Sequence, residues 1–176
     1  PRPPRAAQTL HALLPLCPAL LSLDASELKL RRPSVASASL CRLRMRGCDE
    51  LLALSARCPR LHSLELSGAE KLRELSVSSA ALRALSLACC QQLTAPALTC
   101  EALAELDLSS CVALPSEAIE ALLPRCPSLR ALNLSGCRRL KALRLASASL
   151  HSLLLCWCSQ LASLRASWFE KGLHPV

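Results

Sequence analysis

Leucine recurs along this chain in one pattern, L-x-x-L-x-L-x-x-C, whose middle stretch alternates between apolar and other side chains. Full copies begin at Leu40 (LCRLRMRGC), Leu82 (LRALSLACC), Leu103 (LAELDLSSC), Leu129 (LRALNLSGC) and Leu150 (LHSLLLCWC), with looser copies at Leu20 and Leu61. Successive starts lie 20, 21, 21, 21, 26 and 21 residues apart. Period-2 alternation marks a strand with one buried face. A strand that returns at a near-constant interval marks a solenoid, because no single coil can bury its leucines alone. Stacked about 4.8 Å apart, the seven strands predict a parallel sheet about 29 Å wide.

A second, weaker series lies halfway between the first, at Leu72 (LRELSVSSA), Leu140 (LKALRLASA) and Leu161 (LASLRASWF), with degenerate copies at Leu30, Leu51 and Leu93. A period of 2 does not suit a helix, so these return segments are expected to be extended. Only the 26-residue coil has room for a helix, with Ser116 as N-cap, Glu117 to Leu123 as body and Pro124 as stop. A first helix, Ala6 to Leu14 ended by Pro15, is expected to close the open end of the core. The predicted class is an α/β solenoid with parallel strands on one face and short extended or helical returns. Residues 1–176 read as one unit: a helical cap over 1–19, repeats over 20–166, and a cap or tail over 167–176 in which Trp168 and Phe169 are placed to cover the last coil.

Composition narrows this picture. With 52% hydrophobic residues and 19% charged, the chain can bury a core. The richest apolar run, Ala12 to Leu23, is interrupted by Pro15 and Pro18 and recurs at 118–135, so it reads as structure and not as a leader or a membrane span. A chain that opens on proline is expected to be a fragment or a processed form.

Twelve cysteines would fit a disulfide scaffold, but their register gives them another use. Cys48, Cys90, Cys111, Cys137 and Cys158 hold the ninth place of the frame, and Cys17, Cys58, Cys100 and Cys126 fall three residues before it. Those are stacking positions for a small buried side chain. Cys41, Cys89 and Cys156 lie outside both columns and are the expected exposed thiols. No C-x-x-C pair occurs and histidines number four, so no metal is expected. The reading favours a reducing, intracellular compartment, cytoplasm or nucleus.

With these features the chain resembles the cysteine-containing leucine-rich repeats best represented by F-box ubiquitin-ligase substrate receptors. The CPxL-xx-LxLxxC runs carry the likeness: CPRLHSLELSGA from Cys58 and CPSLRALNLSGC from Cys126. The resemblance covers nearly the whole chain. It implies a leucine-rich-repeat solenoid whose exposed face captures a protein, while a separate F-box helix bundle binds the ligase adaptor. No such bundle is recognisable in the sequence. Most coils here are shorter than the family's usual one, and half-repeats replace its helices.

Charge is banded. Residues 1–60 carry +10 and −4, 61–120 carry +3 and −8, and the rest +8 and −1. Frame positions three, five and seven project from the sheet. Most are small, but Arg42, Arg44 and Arg46 put three guanidinium groups on one strand face. Either they meet an anionic partner, or Glu65 on the next coil pairs with Arg44 and the others are hydrated. The candidate protein-binding set is Arg42, Arg44, Arg46, Glu65, Glu105, Asp107, Leu154 and Trp157. No nucleophile stands with a base, no glycine-rich phosphate loop occurs, and neither an enzyme nor a cofactor is expected. The expected partner is a protein with an acidic patch, through a role like that of an F-box substrate receptor. The alternative is a structural subunit of a larger assembly, ribonucleoprotein or organellar, with RNA as second candidate ligand. Neither a membrane nor a small-molecule substrate is expected.

Overall fold

A computed structural model describes residues 5–167. Helix α1 (Arg5–Leu16) leads into seven coils. The first gives β1 (Ser22–Asp24) and β2 (Ser34–Ala36), the second β3 (Arg42–Arg44) and β4 (Ala53–Arg57). The third gives β5 (Ser63–Glu65) and β6 (Glu74–Ser78), the fourth β7 (Ala84–Ser86) and β8 (Ala95–Thr99). In the fifth, β9 (Glu105–Asp107) is followed by helix α2 (Ser116–Leu122). The sixth gives β10 (Ala131–Asn133) and β11 (Ala142–Ala146), the seventh β12 (Ser152–Leu154) and β13 (Ser163–Ser167).

The front sheet is parallel and unbroken, in the order β1-β3-β5-β7-β9-β10-β12. Its register follows the frame, with Leu43 beside Leu64, Leu64 beside Leu85, Leu85 beside Leu106 and Leu106 beside Leu132. The returns are extended, as the period-2 pattern requires, and pair into β2-β4-β6-β8 and β11-β13. α2 stands where the fifth return strand would be, packing against β8 on one side and β11 on the other. The solenoid is therefore two sheets back to back around one core, with a helix splitting the rear sheet.

Leucine dominates the core. First and fourth frame positions are buried from Leu40 and Leu43 through Leu129 and Leu132, as are the leucines that open each return, from Leu30 to Leu140. Burying one such side chain contributes about 1.5–3 kcal/mol, and only the neighbouring coils provide the apolar surroundings. The end coils show this directly, since Leu20, Leu23, Leu153 and Leu155 are only partly buried.

Both helix boundaries differ from the sequence reading. α1 runs through Pro15 to Leu16. The ring falls in the last turn with one helical residue after it, and Cys17 N–H closes the end on Leu14 O at 3.2 Å. Leu10 and Leu14 are buried and the helix lies against β2. In α2 the N-cap is Pro115, extended at φ −84° and ψ 161°, and Ser116 is the first helical residue with its side chain buried. Proline already holds the extended φ that a cap needs. Pro124 does not stop the helical run but sits in a 3₁₀ turn over Leu123–Arg125. Trp168 and Phe169, expected to cover the last coil, lie outside the described residues.

Cysteine placement follows coil stacking. In the ninth-place column Cys48, Cys90, Cys111 and Cys137 are buried, and Cys158, on the last coil, is half-buried. Ala69 takes the place in the third coil and is fully buried. The other column reads Cys17, Ser37, Cys58, Ser79, Cys100, Cys126, Ser147, so serine and cysteine share one job at the turn into the front strand. Leu61, Leu103 and Leu129 N–H close on the Cys58, Cys100 and Cys126 carbonyls at 3.0, 3.2 and 3.1 Å, whereas Leu40 and Leu150 N–H bond the Ser37 and Ser147 hydroxyls at 3.2 Å. Two thiols depart from expectation. Cys17 is exposed, because no coil precedes it, and Cys41 is half-buried with Sγ donating to Ser39 O at 3.3 Å. Cys89 and Cys156 are exposed as expected.

Candidate interaction face

The front sheet turns its small side chains outward. Parallel pairing in register makes each frame position a row across the coils, so the face can be built column by column. Column three runs Arg42, Ser63, Ala84, Glu105, Ala131, Ser152 and column five Arg44, Glu65, Ser86, Asp107, Asn133, Leu154. Over β5, β7, β9, β10 and β12 these short side chains leave a groove of about 350 Å³. Its floor includes Ala84, Ser86 and Ala131, and its polar groups are Glu65, Glu105, Asp107 and Asn133, with Leu154 at the far end.

The arginine row stands beside that groove, and most of its charge is met. Glu65 pairs with both Arg44 (3.9 Å) and Arg46, its two oxygens taking one guanidinium each. Hydrogen bonding and charge from Glu65 raise the Arg46 guanidinium above its ordinary value. On the other side Asp24 lies in register with Arg44. Its carboxyl is held below the usual carboxylate range by hydrogen bonds from Ser26, and then by Arg44 and Arg46. The row is thus sandwiched between two acids, and Glu65 accepts one more arginine than the sequence comparison allowed it. Among the described residues, no ion pair reaches Arg42, which is flanked in its column by Ser22 and Ser63.

Column five also has a structural duty. Asp24, Asp107 and Asn133 each accept the N–H two residues on, from Ser26 (3.0 Å), Ser109 (2.9 Å) and Ser135 (3.0 Å). A short Asx side chain that bonds its own backbone in this way starts a turn. Asp107 therefore shapes the end of β9 as well as lining the groove, whereas Glu105 on the same strand is exposed and has no ion-pair partner among the described residues.

The structure brings Glu65, Glu105, Asp107 and Leu154 together in one groove and sets Arg42, Arg44 and Arg46 next to it. It separates Trp157 from them. That indole is 86% exposed and sits in the turn after β12, facing a second groove of about 590 Å³ with Cys89, Ser110, Gly136 and Arg138.

Sequence reading missed the backbone of these turns. Glu27, Gly47, Gly68, Cys89, Ser110, Gly136 and Trp157 all have φ between 58° and 79°, and all hold the eighth place of the frame. There the chain leaves the front sheet in the left-handed region, while the N–H still reaches the next coil's carbonyl, as from Gly47 to Ser67 O at 2.9 Å and Ser110 to Ser135 O at 2.7 Å. The signal was available, since three of the chain's four glycines fall at this one position.

All twelve cysteines are free thiols. Among the described residues no three His, Cys, Asp or Glu side chains converge as a metal-holding group, and no helix is long and apolar enough to cross a membrane. Stacked leucine-rich coils with an open side-chain-bearing face define a leucine-rich-repeat protein-interaction solenoid. The family profile described as FBD-associated F-box protein At5g56370, LRR repeats, matches residues 72–167, more than half of the chain, and the chain belongs to that leucine-rich-repeat family. No curated protein sequence matches it.

Proposed function

We propose that the front face receives a protein ligand, in the manner of the substrate-receiving repeats of an F-box ubiquitin-ligase component. The observation that supports this reading is the groove of about 350 Å³ across five strands, which its own side chains are too short to fill. Glu105, Asp107 and Leu154 are the contacts within it, with Glu65 at its near edge. Arg42 offers the charge that no acid of the chain meets among the described residues. The complementary partner segment carries an acidic group over β3 and a basic group over β9, roughly 14 Å away at about 4.8 Å per strand. The family profile's printed description supports the F-box part of the reading, and the free thiols suit a reducing compartment.

Proximity labelling in cells tests it with three proteins: wild type, a front-face variant (Glu105→Arg with Leu154→Arg) and a rear-face variant (Ala97→Arg). A substrate receptor yields proteins labelled by the first and third but lost from the second, and those proteins accumulate when cullin-type ligases are inhibited. A labelled set that is the same for all three overturns the front-face reading. A front-face set whose abundance ignores ligase inhibition overturns the receptor role alone.

A further inference from the structure

Between Glu120 and Glu170 the sequence contains no aspartate or glutamate, although it holds seven arginines and lysines there. This stretch runs from the end of α2 through the sixth and seventh coils. In the earlier coils four arginines have acidic partners, Arg31 with Glu50 at 3.1 Å, Arg32 with Glu74 at 3.3 Å, and Arg44 and Arg46 with Glu65, while others such as Arg42 have none among the described residues. Among the described residues no cation of coils six and seven has an acidic partner. Arg139 reaches only the Ala113 carbonyl, at 3.4 Å. Glu120 on α2 is engaged by the backbone N–H of Arg144 at 2.9 Å.

Arg144 and Arg165 lie in register on β11 and β13, exposed on the same outer face. Like charges directly opposite on neighbouring strands destabilise a sheet, and among the described residues neither arginine has an ion-pair partner. Trp157 stands in the same region, in the left-handed turn at φ 62° as Glu27, Cys89 and Ser110 do in their coils, and it is 86% exposed. Its indole shares the 590 Å³ groove with Arg138.

We propose that coils six and seven form a binding surface for single-stranded nucleic acid. A base stacks on Trp157, and Arg138, Arg139, Lys141, Arg144 and Arg165 meet the phosphates. A single strand uses both the cations and the indole, since exposed bases stack on aromatic faces while cations track the backbone. A duplex keeps its bases stacked internally and gains only the charge term. This surface is distinct from the front groove, and the inference stands apart from the receptor reading.

The test is a titration of labelled 12-nucleotide oligouridylate, read by fluorescence anisotropy from 50 to 200 mM salt, against polyglutamate of equal charge as competitor. A Trp168→Phe background leaves Trp157 as the single indole, whose emission should be quenched on binding. Trp157→Gly suits the left-handed turn, so folding is not at risk, and it should weaken RNA binding about tenfold. Arg138→Gln with Arg165→Gln should lower the salt slope by about 1.4, at about 0.7 per phosphate on a single strand. Unchanged thermal midpoints confirm that both variants fold. No salt-dependent binding overturns the proposal, as does RNA binding that ignores Trp157→Gly, or polyglutamate that competes as strongly as RNA, which would assign the surface to an acidic protein.

Discussion

The thiol of Cys111 lies 3.2 Å from the carbonyl oxygen of Leu87 on the coil before it and donates its proton there. Cys48, Cys90, Cys137 and Cys158 repeat the contact, to Ala25, Leu66, Leu108 and Leu134, at 3.1 to 3.5 Å. Each is a weak bond in a dry place, and burial makes ionisation costly. Burial is the first cause that pushes Cys90 and Cys137 up to about 12 and Cys126 up to about 11.

That shift has a direction in pH. The folded state holds these protons above the pH at which an unfolded thiol loses them, near 8.5, so the unfolded state gains by ionising first. Stability should be level below pH 8.5 and fall progressively toward pH 12, measured by denaturant melts from pH 7 to 11. Cys90→Ala with Cys137→Ala should flatten that alkaline limb. Ala69 already fills the same position in the third coil, so the double variant should still fold.

Thiol reagents should separate the cysteines by exposure. At pH 8 an aromatic disulfide reagent should modify Cys17, Cys89 and Cys156 quickly and Cys41 more slowly. The buried column should react only in denaturant. Rapid reaction of Cys111 in native buffer would mean that the coils open far more readily than their packing implies.

The left-handed turn column gives a backbone test. Ser110→Gly should stabilise the protein by about 0.5–1 kcal/mol by relieving a non-glycine residue at φ 58°. Gly136→Ala should destabilise it by about 2 kcal/mol, because the new Cβ would be strained at φ 74° and only 3.1 Å from Ser110 Oγ. Thermal or urea melts that move both variants the same way would contradict the shared role of this position.

Much of this architecture was legible because one leucine frame encodes it. The period-2 run at Leu72 to Val77 fixed β6 as extended, and the five additional residues after Leu103 located α2. What escaped was set by the coil next door. Whether Cys17 is buried depends on a coil before it, and whether Arg46 is free depends on Glu65, 19 residues later and one strand away. Four of the eight proposed contact residues share one groove, since columns three and five follow from register. Trp157 did not join them, because the left-handed turn swings it off the sheet.

Core and face positions of one coil should respond very differently. Leu106 is 2% exposed in the middle of the front sheet, so Leu106→Ala should destabilise by about 2–5 kcal/mol through lost burial and a cavity. Ser109 contributes its backbone N–H to Asp107, a bond that alanine keeps. Ser109→Ala should therefore stay within about 0.5 kcal/mol in urea melts.

The arginine row yields the sharpest electrostatic test, because its three members have unequal partners. Arg42 has no ion pair among the described residues, so Arg42→Ser should change stability by less than about 0.5 kcal/mol. Arg44→Ser with Arg46→Ser removes both partners of Glu65, whose side chain is 20% exposed and thus poorly rehydrated. Two surface pairs at about 0.2–1 kcal/mol each set the expected loss near 1 kcal/mol, shrinking as salt rises. In a Glu65→Gln background the same double change should cost almost nothing, since no carboxylate is left unpaired. Urea melts of the four proteins at 50 and 500 mM salt complete the cycle. An equal loss with and without the Glu65 carboxylate would show that the arginines act through packing of their stems and not through charge.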